Sequence, residues 1–126
     1  MSRLFEPWHL GSLTLANRIV VAPMCQYSAV DGVPQDWHLM HYGSLAMSGA
    51  GLLIMEATGI NAEGRITHGC VGLWNDAQEA TFARLNGALR RHGAAKLAVQ
   101  LGHAGRKASS RVPWDSGRQI RAGEPG

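Results

Sequence analysis

A thiol and a phenol stand two residues apart in the segment Ala22-Pro23-Met24-Cys25-Gln26-Tyr27, directly after the apolar, β-branched run Arg18-Ile19-Val20-Val21. The run reads as a buried strand, and Pro23, which has no N–H to donate, stops its ladder. In α/β proteins the loops just past the carboxyl ends of parallel strands carry the chemistry. The plainer alternative is a core cysteine beside a packing tyrosine. Two further strand ends of the same kind follow. Glu56-Ala57-Thr58 closes the run Gly51-Leu52-Leu53-Ile54-Met55, and Gln100-Leu101-Gly102-His103 closes Lys96-Leu97-Ala98-Val99. If the three ends converge on one mouth, a thiol, a small residue, an amide and an imidazole line a single pocket. Gln100 offers two donors and an acceptor, and burying them unsatisfied is costly. A flat heterocycle with alternating donors and acceptors along its edge would satisfy that amide, and Ala57 leaves room for such a ring. A hydrogen bond from Gln100 to a neighbouring loop backbone is the competing reading.

The elements that must position these ends alternate along the chain. Residues 4–15 form two short apolar patches around Pro7 and Gly11-Ser12, expected as a small cap hairpin. Core strands are expected at 18–24, 51–57 and 96–101. Between the first two, Asp36 can cap a helix reaching roughly Gly49, with Trp37, Met40, His41, Ser44 and Met47 on one face. Between the second and third, Asp76 and Glu79 have capping-box spacing, Phe82, Leu85 and Leu89 mark a buried face, and Gly93 is placed to close the helix as a left-handed cap. The second strand shows no polar alternation, as expected where helices cover a parallel sheet. Three parallel strands alone leave two edges open. A Rossmann half-domain lacks support, because the first strand-to-helix turn has no Gly-x-Gly-x-x-Gly. A (β/α)8 TIM barrel is the better parent, with residues 1–126 forming the N-terminal portion of its single domain: a cap hairpin and roughly the first three βα units.

Composition narrows the function classes. The formal charge is +3, but Arg90-Arg91, Arg106-Lys107, Arg111, Arg118 and Arg121 are scattered and carry no interleaved aromatic residues. Nucleic-acid binding is therefore not expected. Cys25 and Cys70 are too few for a disulfide framework and lack metal-ligand spacing, so a reducing compartment fits. No signal-peptide core and no apolar run long enough to span a bilayer are present, and a soluble, cytoplasmic protein is expected. His38 and His41 share a helix face but have no third ligand in view, so packing is expected rather than a metal. Trp37 and Trp114 are read as packing residues, and Cys70 is given no role.

Several blocks together resemble a known family. Pro23-Met24-Cys25-Gln26-Tyr27, His38 to Tyr42, Glu56-Ala57, Gly64-Arg65-Ile66-Thr67 and Gln100-Leu101-Gly102-His103-Ala104-Gly105-Arg106-Lys107 look like the old yellow enzyme family of flavin-dependent ene-reductases. The likeness is to its bacterial branch of xenobiotic reductases and thermophilic-like members, and it runs from about Leu4 to Trp114. It implies an FMN-binding (β/α)8 barrel that takes hydride from NADPH or NADH and reduces activated alkenes: α,β-unsaturated carbonyl or nitro compounds. It further implies that Ala22, Pro23, Met24 and Cys25 lie along the flavin, that the Ala57 backbone meets its edge and that Gln100 bonds its pyrimidine part. Tyr27 is implied as the catalytic phenol facing the substrate. His103 and Arg106 are read as structural, with Glu56 a charge partner for Arg106. The family's substrate-carbonyl donors and flavin-phosphate site come from later strands. The partners implied are therefore a small activated alkene, the remaining C-terminal portion of the barrel (possibly a separate chain) and further copies in a homo-oligomer. A catalytically inert barrel fragment that must assemble with such a partner is the alternative.

Overall fold

The computed structural model describes residues 2–124. An antiparallel hairpin comes first, with β1 (Trp8–Leu10) paired to β2 (Leu13–Leu15). Its two-residue turn places Gly11 at φ +58°, a left-handed conformation that glycine adopts without steric cost. There follow β3 (Val20–Val21), α1 (Asp36–Ala46), β4 (Leu52–Gly59), α2 (Asp76–His92) and β5 (Lys96–Gly102). The last three strands make a parallel sheet in the order β3-β4-β5, each pair joined through a helix.

The first core strand is shorter than the expected 18–24. Only Val20 and Val21 pair with Leu52 and Leu53, and the Ile19 carbonyl takes N–H bonds from Gly51 and Leu52 at 2.9 and 3.3 Å. Past Val21 the chain carries Pro23, which cannot donate, and it leaves the ladder. The other two strands run slightly beyond their expected ends.

One side of the sheet is covered. Leu53 and Met55 of β4 pack with Tyr42 and Ala46 of α1, with Phe82 and Leu89 of α2, and with Val71 in the intervening loop. By strand alternation Ile54 and its partner Ala98 face the other way, where no helix lies.

Both helices begin at the residues expected as caps, so each cap lies one residue earlier. Asn75, not Asp76, caps α2, its side chain accepting from the Gln78 N–H at 3.0 Å. The expected buried face of Phe82, Leu85 and Leu89 is found. Gly93 does not take the left-handed conformation expected of it; its φ is −105°. It is required instead by close approach, since a Cβ there would collide with Ala46 of α1. In α1 the cap is Gln35, whose N–H donates to His38 Nδ1 at 2.9 Å. Here the expected face is overturned. Trp37, Met40 and Met47 are exposed, while His38, Tyr42 and Ala46 are buried against the sheet. The reason lies in β4, which turns a carboxylate toward this helix.

Candidate active site at the strand ends

The register of β4 and β5 slips once. Met55 pairs with Val99, but Ala57 pairs with Gln100, so Glu56 is an extra residue with no partner of its own. Such a bulge re-aims the side chains that follow it. Without it, Glu56 would share a face with Ile54 and Ala98. With it, Ala57 and Gln100 take that face, and Glu56 turns toward α1. A small residue and an amide thus stand side by side at the carboxyl ends of two adjacent strands.

Glu56 is fully buried and anchors a polar network. The Tyr42 hydroxyl donates to its Oε1 at 2.7 Å and accepts from its backbone N–H at 3.2 Å. The Gln26 N–H donates to Oε2 at 3.1 Å. His38 Nε2 lies 3.5 Å from Oε1, a close approach that makes no hydrogen bond, and it is buried. Because His38 Nδ1 accepts from Gln35, the neutral ring carries its proton on Nε2, facing the carboxylate. Burial raises the Glu56 carboxyl to about 7, against the lowering effect of the Tyr42 and Gln26 bonds. Burial likewise lowers the His38 imidazole, keeping it neutral near pH 7. The expected ion pair of Glu56 with Arg106 is not formed: Arg106 is exposed in a 3-10 turn (Gly105–Lys107), and the carboxylate spends its acceptors on α1 and Gln26.

Through Gln26 this network holds the segment that carries Cys25 and Tyr27. The Gln26 side chain donates to the Met24 carbonyl at 2.8 Å and accepts from Trp37 Nε1 at 3.1 Å. Trp37 is therefore an exposed clamp on this segment rather than a core residue. Tyr27 sits at φ +53°, and a Cβ on Gly69 would collide with its carbonyl. The Ala29 N–H bonds the Gly69 carbonyl at 2.9 Å, lacing the two loops together. Trp114, also expected to pack, is 70% exposed and meets the Tyr27 ring edge-on at 6.0 Å. Burial raises the Tyr27 phenol above its ordinary value, so it remains protonated at neutral pH.

A cleft of about 190 Å³ opens at these ends, lined by Ala57, Gln100, Arg65, Ile66, His103 and Cys70 among others. Ala22, Pro23, Met24, Cys25 and Tyr27 are not on its wall. Cys25 is half-buried and meets the Cys70 thiol, with a backbone hydrogen bond from Ala57. Met24 is 48% exposed. The Gln100 side chain has no hydrogen-bond partner among the described residues, and it is exposed. The expected competing bond to a loop backbone is thus absent there. Sequence reasoning passed over two features: Cys70, whose only signal was being the second thiol, and the polar cluster of Tyr42, His38 and Glu56, whose signal was a carboxylate in an otherwise apolar strand. His38 and His41 belong to no group that could hold a metal among the described residues.

Replacing Gln100 with Leu tests what its amide is for. If the amide bonds a flavin ring edge, Gln100→Leu in the full-length protein weakens FMN binding by on the order of 1–3 kcal/mol, because ring polar atoms lose their partners. Fluorescence titration with FMN measures this; unchanged affinity would remove Gln100 from the ring.

Over residues 3–119 the chain matches the NADH:flavin oxidoreductase / NADH oxidase family. An NADPH dehydrogenase of Listeria monocytogenes is 50% identical over 110 residues, covering 86% of this chain and 32% of that protein. An NADH:flavin oxidoreductase of Gibberella zeae is 42% identical over 125 residues, covering 99% of this chain and 30% of that protein. Among solved structures, morphinone reductase in complex with tetrahydroNAD superposes with a TM-score of 0.77 at 38% identity, over 86% of this chain and 29% of that one. The old yellow enzyme from Trypanosoma cruzi gives 0.75 at 33% identity, over 84% and 28%. The chain spans about a third of the length of the relatives it matches. Its hairpin, three parallel strands and two helices are part of the (β/α)8 barrel of these structures. No helix among the described residues is long and apolar enough to cross a membrane.

Proposed function

The chain belongs to the NADH:flavin oxidoreductase / NADH oxidase family, and from that premise we propose that it forms the flavin-edge wall of an FMN-dependent, NADPH- or NADH-driven ene-reductase. The observation that carries this reading is the paired placement of Ala57 and Gln100 on one face of the strand ends, the amide unpartnered and the residue beside it small enough to leave room for a ring. Those residues fit the edge of an isoalloxazine ring, which alternates donors and acceptors. Bound FMN supplies the hydride chemistry that links the nicotinamide to an activated alkene.

The chain's own residues divide the remaining work. Gln100 bonds the pyrimidine part of the ring, and the Ala57 backbone borders it. Ala22, Pro23, Met24 and Cys25 lie along it, with the Cys25 S–H a weak donor that tunes its electronics. Tyr27, protonated at neutral pH, donates to the substrate's activating group or helps deliver the proton to the α-carbon. Cys25→Ala in the full-length enzyme is expected to shift the flavin potential and both half-reaction rates while turnover persists. Tyr27→Phe is expected to leave the potential nearly unchanged and slow the oxidative half-reaction about tenfold, the loss of roughly 1.4 kcal/mol. Stopped-flow traces of the two half-reactions separate them; complete loss of turnover in Cys25→Ala with flavin bound would point to covalent thiol chemistry instead.

The substrate class is tested by reducing the full-length protein anaerobically with NADPH and then adding 2-cyclohexenone or a nitroalkene. Prompt return of the oxidised flavin spectrum, with a saturated product, supports the reading. Reoxidation by oxygen alone would overturn it. A second reading is favoured by the uncovered side of the sheet: residues 1–126 by themselves are catalytically inert and act only within a barrel completed by further βα units. The other partners proposed are a small activated alkene and, for the complete barrel, further copies of itself. A soluble, cytoplasmic location is proposed with them.

A further inference from the structure

We propose that Cys25 and Cys70 form a modification site, a vicinal dithiol that a hydroperoxide oxidises to a Cys25–Cys70 disulfide at the wall of the cleft. The two thiols are free and meet side chain to side chain, although they belong to different loops. The bond between Ala29 and Gly69, and the close approach of Gly69 to Tyr27, hold those loops in register. Cys70 is buried, 1% exposed, and the cleft it lines is the side from which a molecule the size of hydrogen peroxide would reach it.

The two sulfurs are not equivalent. Thr67 Oγ1 accepts from the Gly69 N–H at 3.2 Å, which leaves its own hydroxyl proton to point at Cys70 Sγ, 3.4 Å away. The hydrogen bond with the Cys25 thiol is the largest influence lowering Cys70, against burial, and the Thr67 hydroxyl adds to it. Cys25 is pushed up, first by the Cys70 thiol and then by burial. The Thr67 hydroxyl thus favours Cys70 as the attacking thiolate and leaves Cys25 as the resolving thiol, the division of roles that oxidation to a disulfide requires.

The steps balance. Cys70 thiolate attacks one peroxide oxygen; an S–O bond forms, the O–O bond breaks, and the departing oxygen takes a proton and leaves as water. Cys25 then attacks the Cys70 sulfur, the S–S bond forms, the S–O bond breaks, and a second water leaves with the Cys25 proton. Two thiols lose two electrons and two protons, and hydrogen peroxide receives them. On the proposed reading of the cleft as a flavin site, the disulfide also removes the S–H that Cys25 presents to the ring.

The full-length protein, fully reduced and then treated with a small excess of hydrogen peroxide, is alkylated and digested with trypsin. Cys25 lies in the fragment 19–65 and Cys70 in 66–84, and these two are expected as one cross-linked species that dithiothreitol separates. In Cys25→Ser, dimedone is expected to label Cys70 as a sulfenic acid. In Cys70→Ser, labelling of Cys25 is expected to be about tenfold slower. Two alkylatable thiols after peroxide, or sulfinate on Cys25 with Cys70 still free, would overturn the proposal. Because the cross-link is read by mass, it stands or falls independently of flavin binding. A disulfide that forms without altering the flavin spectrum would sink the flavin reading of Cys25 and leave the dithiol intact.

Discussion

Produced by itself, the stretch 1–126 is expected to lack a cooperative unfolding transition and to bind FMN poorly. The sheet order β3-β4-β5 leaves β3 and β5 with one unpaired edge each. The helices cover one side only, and Val20, Val99 and Leu101 remain 40%, 36% and 57% exposed. A β-sheet needs both its apolar faces covered to persist in water, and three strands with two helices cover one. Circular dichroism through a urea titration, dye binding to exposed apolar surface and sedimentation measure the outcome. A sharp transition in a monomeric, yellow preparation would show that the uncovered face needs no further strands. Mixing with the missing portion of the barrel is expected to restore both cooperativity and flavin colour.

Removal of the Glu56 side chain is expected to cost the complete protein about 3 kcal/mol, since Glu56→Ala leaves the Tyr42 hydroxyl and the Gln26 N–H without their acceptor. Glu56→Gln keeps an acceptor and the volume, and is expected to cost much less. The pH dependence separates the two causes. The Glu56 carboxyl is raised on folding from 4.5 to about 7, so the native state binds the proton more tightly than the unfolded one. Its contribution is therefore complete below about pH 4.5 and lost as pH rises to about 7, a change on the order of 3 kcal/mol. His38, lowered by burial, acts in the opposite sense, its stabilisation growing as pH rises toward 6.5. The difference between wild type and Glu56→Gln isolates the carboxyl: urea midpoints should lie close together near pH 4.5, where both side chains are neutral, and wild type should fall below Glu56→Gln as pH rises to about 7. Parallel curves would mean that the Glu56 carboxyl holds its proton equally well folded and unfolded. Because Gln26 is bonded to Glu56 and directly follows Cys25, Glu56→Ala is also expected to loosen the proposed flavin-edge segment, read as weaker FMN retention.

The order of elements was legible because each is a local pattern. Apolar runs bounded by Pro and Gly mark strands, and the period of Phe82, Leu85 and Leu89 marks the one face that α2 can bury. The convergence of Ala57 and Gln100 was legible too, since both end apolar strands that a parallel sheet must align. The resemblance of several separated blocks to one flavin-dependent family carried the rest.

Three decisions belonged to the tertiary structure. The bulge at Glu56 cannot be seen in a strand pattern, yet it determines whether a carboxylate or an alanine stands beside Gln100. The buried face of α1 was misread because the helix offers apolar residues on more than one side. The choice fell to the face whose His38 and Tyr42 could meet a buried carboxylate, for an unpaired charge inside the fold costs more than exposed Trp37, Met40 and Met47. The meeting of Cys25 with Cys70 depends on two loops laced together through Ala29 and Gly69, a contact between segments far apart in the chain. Local propensity determines which elements form. Which side chains meet at their ends is set by long-range register and by the need to pair every buried polar group.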